Sequence, residues 1–147
     1  MIVISNSSPL IALASINRLM IFQALFGQIY IPDTVYQETV IQNNVPLQKE
    51  IILQATNRFI VVETPQTNFS FRRTIDFGEQ GVLNLAFDKQ ANLLIVDDKK
   101  ASNEAKELGF QVANTTTILK RAETLGIIAS YTDLLTELEM LRIYLPH

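Results

Sequence analysis

A three-layer α/β/α fold, with a mainly parallel central sheet of four or five strands and helices on both faces, is predicted by three observations. Short apolar runs rich in β-branched residues recur along the chain. The segments between most of them carry helical periodicity. With 147 residues, 48% of them hydrophobic, the chain is long enough to close one ordinary core, and no repeat, low-complexity tract or linker divides it. Strands alternating with helices imply parallel pairing and cover on both faces. A single domain over 1–147 is therefore expected.

The first run, IVIS (2–5), stops at Asn6, with two serines and Pro9 behind it. Ser8 is expected to N-cap a helix over 9–15 whose first position is Pro9. Asn6 is then left at the strand tip, either as an amide holding a turn or facing the crevice where α/β proteins place their chemistry. A helix over 18–26 leads into QIYI (28–31), and a further helix is expected over 33–43. On that helix Val35, Tyr36 and Val40 group together and Glu38 points away from them, which reads as a solvated surface carboxylate. A helix over 46–56 precedes FIVVE (59–63).

The segment TPQTNFSFRRTIDFG (64–78) exceeds the usual connection length, and loops of that size tend to be functional or mobile. Behind it a helix is expected over 79–90, and at 100° per residue Glu79 falls on the face of Val82, Leu83 and Ala86. A carboxylate turned inward at a helix start needs a cation or several donors to offset its desolvation. LLIV (93–96) ends at Asp97 and Asp98, of which one can N-cap the helix expected over 99–108. The other is unexplained, because adjacent carboxylates at a strand tip repel unless a metal or basic partner is present. FQVA (110–113) and helices over 115–125 and 131–141 complete the chain. The leucines of the last helix suit either the core or a second subunit.

Composition excludes several functions. There is no cysteine, hence no disulfide, zinc thiolate site or thiol nucleophile. The one histidine, His147, is the last residue and is expected to be frayed, so a catalytic histidine is not expected. Neither a dinucleotide-binding glycine fingerprint nor a P-loop lysine motif occurs, which argues against a nucleotide cofactor. The N-terminus resembles neither a signal peptide nor a membrane span, and a cytoplasmic protein is expected. A net charge of -3 gives no chain-wide signal for nucleic acid. Local pairs do exist: Arg72 with Arg73, Lys99 with Lys100, Lys120 with Arg121. The first follows Phe69 and Phe71 and the second follows the acidic pair, mixtures suited to phosphate contact and base stacking.

Taken together, NSSPLIALA (6–14), FGQIYIPDTVYQE (26–38), DFGEQGVLNLA (76–86), LLIVDDKKA (93–101) and AKELGF (105–110) resemble the PIN domain, the fold of VapC-type toxin ribonucleases. The likeness is to a prokaryotic branch that begins with a strand followed by Asp or Asn, Ser or Thr, then Ser-Pro-Leu. It implies a metal-dependent endoribonuclease with acidic side chains clustered at the C-terminal edge of a parallel sheet. Position by position, it puts Glu38, Glu79 and Asp97 in catalytic roles, and Asn6, Glu79, Asp97 and Asp98 around Mg²⁺ or Mn²⁺. Ser8 falls where the family often has a hydroxyl near the metal; Ser8, Arg72, Arg73, Lys99 and Lys100 are the candidate RNA contacts. An antitoxin partner and a homodimer are the family's habit.

Two positions depart from the pattern. Asn6 stands where the family has its first acid, so the site loses one formal charge and some metal affinity. Gly81 stands where the branch often has a second acid two residues after Glu79. A PIN-like module that binds RNA or protein without catalysis is the alternative these departures favour. A phospho-accepting receiver domain would want an acidic pair after the first strand and a lysine after the last, and the sequence has neither.

Overall fold

The computed structural model describes residues 1–146; His147 lies outside the described residues. Five strands, β1 (Val3–Ser5), β2 (Ile29–Pro32), β3 (Ile60–Glu63), β4 (Leu93–Ile95) and β5 (Val112–Ala113), form one sheet in the order β3-β2-β1-β4-β5. Every pairing is parallel, with Ile4 opposite Tyr30 on one side and Leu94 on the other. The helices are α1 (Ser7–Ser15), α2 (Met20–Phe26), α3 (Asp33–Tyr36), α4 (Pro46–Ala55), α5 (Phe77–Lys89), α6 (Lys99–Glu107), α7 (Thr115–Thr124) and α8 (Tyr131–Met140). The predicted parallel α/β architecture is present. Its centre is β1, buried along its whole length, with Leu10, Leu13, Phe22, Ile31, Leu83, Leu85 and Leu94 in the surrounding core.

Three helices differ from expectation, each for a local reason. The first helix begins at Ser7, so Asn6 and not Ser8 occupies the N-cap position, without a side-chain capping bond. Pro9 is then the third helical residue, where the backbone N–H has no intrahelical partner anyway. The helix expected over 33–43 is α3 followed directly by a π-helical turn, Gln37–Ile41, closed by Gln42 N–H donating to Gln37 O at 2.8 Å. The helix expected from 79 starts at Phe77, because Asp76 and Glu79 cap one another: Glu79 N–H donates to Asp76 Oδ1 at 2.8 Å and Asp76 N–H to Glu79 Oε2 at 3.3 Å.

The long segment before α5 is tied down at three places. Gln66 and Thr67 N–H donate to the Asp88 carboxylate, Phe69 N–H to Asn84 Oδ1, and Arg72 and Arg73 N–H to the Glu104 carboxylate. Phe69, Phe87 and Phe110 add two edge-to-face contacts, at 4.7 and 5.2 Å between ring centroids. α8 packs on α7 and buries Leu134 and Leu138, so the chain's own core takes its leucine face. Among the described residues no single helix is long and apolar enough to cross a membrane.

Candidate functional site

The chain builds the sheet outward from β1 through β2 to β3, then returns to place β4 on the other side of β1. That reversal is a topological switch point, where the crevice beyond the strand ends is the usual ligand position. Asn6 ends β1 and Asp97 and Asp98 follow β4, and Asn6 N–H joins the two strand ends by donating to Ile95 O at 3.0 Å. The N-terminus of α5 brings Asp76 and Glu79 to the same place.

The result is a cavity of about 520 Å³ walled by Asp76, Glu79, Asp97 and Asp98, by Ser8, Ile11 and Ala12 of α1, and by the C-terminal segment from Ile143 to Pro146. Among the described residues no lysine or arginine stands in those walls. Asp97 is held at both oxygens by Thr115, whose N–H and Oγ1 each donate at 2.7 Å. Asp98 is the N-cap of α6, accepting from Ala101 N–H at 2.9 Å. Asp76 and Glu79 hold each other through the capping box. Glu79 is only 9% exposed. Burial, then the charges of Asp76, Asp98 and Glu38, push its carboxyl up to about 7. Burial also raises Asp97, against the two hydrogen bonds from Thr115.

Glu38 is not the solvated surface carboxylate that periodicity suggested. It sits half-buried in the π-helical turn, where it accepts from Ser7 Oγ at 2.9 Å, and burial raises its proton affinity. π turns of this kind occur often at functional sites. Its carboxylate occupies the space that a Cβ at position 78 would fill, so a side chain there would make the tip of Glu38 shift. A Cβ at Gly81 would meet the Thr34 hydroxyl and the Pro32 ring. The missing acid of the branch is thus missing for a packing reason: α5 lies against the end of β2 with no room for a side chain there.

The structure brings Glu79, Asp97, Asp98 and Ser8 to one cavity. Asn6, 5% exposed, is buried at the strand tip and is not among the residues walling that cavity. Arg73 is committed elsewhere, donating to Glu104 Oε1 at 3.0 Å and pairing with Glu107 at 2.7 and 2.9 Å. Arg72 is exposed and 3.7 Å from Glu107, and Lys99 and Lys100 are exposed at the start of α6. Asp76 is the residue sequence reading missed. Its signal was present as D-x-x-E, a capping box that places Asp76 one turn from Glu79 on the same helix start.

Whether these groups fit a divalent ion has two parts. Among the described residues no three acidic side chains already stand around a common point as a metal-binding group. In donor type and charge the set does fit: carboxylate oxygens suit Mg²⁺ or Mn²⁺, and among the described residues no cationic side chain walls the cavity. Asp76, Glu79 and Asp98 would hold the ion, since each uses only one of its oxygens in the capping bonds of its helix start.

A parallel α/β domain with carboxylates gathered at its switch point is the class that fold and site define. The family model described as DUF3368: PIN domain matches residues 2–147, and the chain belongs to that family. Among solved structures it is similar to a PilT N-terminus domain protein from the hyperthermophilic archaeon Sulfolobus solfataricus P2. The TM-score is 0.59 at 20% identity, covering 83% of this chain and 93% of that one. At that identity the likeness establishes the fold. Comparison with curated proteins gives no match. PIN domains are generally nucleases and typically use divalent metals.

Proposed function

We propose that the chain is a metal-dependent ribonuclease of PIN type acting at the acidic cavity. One observation carries this reading: four carboxylates wall a cavity in which, among the described residues, no cationic side chain stands, and Glu79 among them is driven up to about 7 by burial and by its neighbours' charge. A structural cluster of acids would be compensated by protein cations, as Glu104 is in this same molecule.

Mg²⁺ or Mn²⁺ held by Asp76, Glu79 and Asp98 would supply activation of a water and stabilisation of charge on phosphate oxygens. The chain's own residues position and move protons. Thr115 fixes the Asp97 carboxylate, the capping box fixes Asp76 against Glu79, and the N-cap bond fixes Asp98. Ser8, exposed on the cavity wall, offers a hydroxyl to a phosphate oxygen. Glu79, raised to about 7 by burial and its acidic neighbours, would give up that proton on taking the ion as a ligand. Glu38 positions the start of α1 through Ser7.

The non-catalytic reading has its own observations: Asn6 is neutral and off the cavity wall, and no three acids converge in advance. A toxin role, an antitoxin partner and a homodimer rest on family habit alone and enter no step here. Cleavage of single-stranded and structured RNA with Mn²⁺ decides between the readings. Turnover by the parent that falls at least a hundredfold in Glu79→Gln supports catalysis. No turnover by the parent at millimolar Mn²⁺ moves the protein to the binding class.

A further inference from the structure

A second cavity, of about 430 Å³, adjoins the acidic one and shares Asp97 and Pro146 with it. Its character is opposite. One wall is a single face of α6: Lys99, Ser102, Asn103 and Lys106, at spacings i, i+3, i+4 and i+7. The facing wall is the end of β5 and the start of α7, with Asn114 and Thr117. We propose that this cleft binds the phosphodiester backbone of single-stranded RNA on one side of the acidic cavity. The inference rests on the nuclease reading above and adds the groups that grip the substrate.

Apart from Thr117, whose N–H and hydroxyl both donate to Asn114, the donors there are uncommitted. Among the described residues neither Lys99 nor Lys106 has an ion-pair partner, and the side chains of Ser102 and Asn103 make no hydrogen bond. Asn114 accepts from Thr117 through Oδ1, which leaves its amide N–H₂ to donate into the cleft. The one carboxylate on the wall, Asp97, already has both oxygens hydrogen-bonded to Thr115. Solvation alone explains a polar helix face on an open surface. Here the face is opposed across a cavity by the remaining donor of Asn114, and the two lysines lie seven residues, about 10 Å, apart along the helix. An acidic cavity repels a polyanion, so the grip on neighbouring phosphates must lie beside it, where this cleft is.

The test is anisotropy of a labelled 12-nucleotide single-stranded RNA in EDTA, measured from low to moderate salt. The proteins are the parent, Lys99→Gln/Lys106→Gln, and a control with the same charge change at exposed residues of α4 and the turn after it, Lys49→Gln/Arg58→Gln. The cleft variant is expected to bind about tenfold more weakly, with a salt dependence lower by roughly one to one and a half in log–log slope, while the control changes less than twofold. Titration of the parent is expected to shift the side-chain amide signals of Asn103 and Asn114. Equal losses in the two variants, or unmoved amides on saturation, overturn the cleft. Because the assay contains no divalent ion, intact binding here with no Mn²⁺-dependent turnover overturns the catalytic reading and leaves the cleft standing.

Discussion

Two buried glutamates on neighbouring helices meet opposite fates. Glu104 of α6, 3% exposed, is pushed up by burial but brought down overall by the Arg73 side chain and the N–H groups of Arg72 and Arg73. Glu79 of α5 is also buried, has one backbone donor at 3.3 Å and three acidic neighbours, and is raised to about 7. The first has everything a buried charge needs and pins the long segment to the sheet's flank. The second lacks a cation. A carboxylate with a full set of partners is explained by the fold; one left short points to what the fold is for.

The contrast breaks most visibly at Arg73. Arg73→Ala leaves Glu104 with only its two backbone donors and should lose more stability in urea denaturation than Asp98→Asn, which keeps an N-cap acceptor. Equal losses would mean that the two clusters do not differ in kind.

Next comes pH. Glu79 binds its proton more tightly in the folded chain than its ordinary value of 4.5, so stability is full below that value and is lost as pH rises towards about 7. The decline should be on the order of 2 kcal/mol in EDTA, and Glu79→Gln should remove most of it. Millimolar Mn²⁺ at pH 8 should restore the parent by binding the folded state. A parent whose stability rises from pH 5 to 7 would contradict the assignment.

Gly78→Ala sharpens the role of Glu38. The added methyl displaces its carboxylate, whose tip can move, at an expected cost of about 1 kcal/mol or less. Glu38→Ala in the same background should recover part of that loss, measurable as a double-mutant cycle. A change in metal affinity is expected at Asn6→Asp. A charge at the buried strand tip should tighten Mn²⁺ binding about tenfold, roughly 1.4 kcal/mol, and lower the stability of the metal-free chain. Unchanged metal affinity would separate position 6 from the site altogether.

The sequence made most of the frame legible, and for identifiable reasons. β-branched runs such as LLIV and FIVVE have few alternatives to a buried strand, and the inward turn of Glu79 follows from helical phase alone. The pair after β4 announced itself by being unexplained. What stayed hidden depends on distance or on irregular geometry. Arg73 looked like a phosphate contact because Glu104, 31 residues onward, shows no link to it in sequence. Glu38 looked solvated because a wheel drawn at 100° per residue loses phase where the turn widens to a π-helix. Ser8 looked like a cap because Pro is commonest at the first helical position, whereas here it is the third. Asp76 was legible but unread, since the helix start was placed at Glu79 and not at its capping partner.

The central claim is that the acidic cavity is short of a cation. Calorimetric titration of Mn²⁺ and Mg²⁺ into the parent and into Asp98→Asn at pH 7.5 tests it most directly. The account predicts binding at up to millimolar metal, weakened at least tenfold in the variant. No heat of binding in the parent, or equal binding in both, would contradict it.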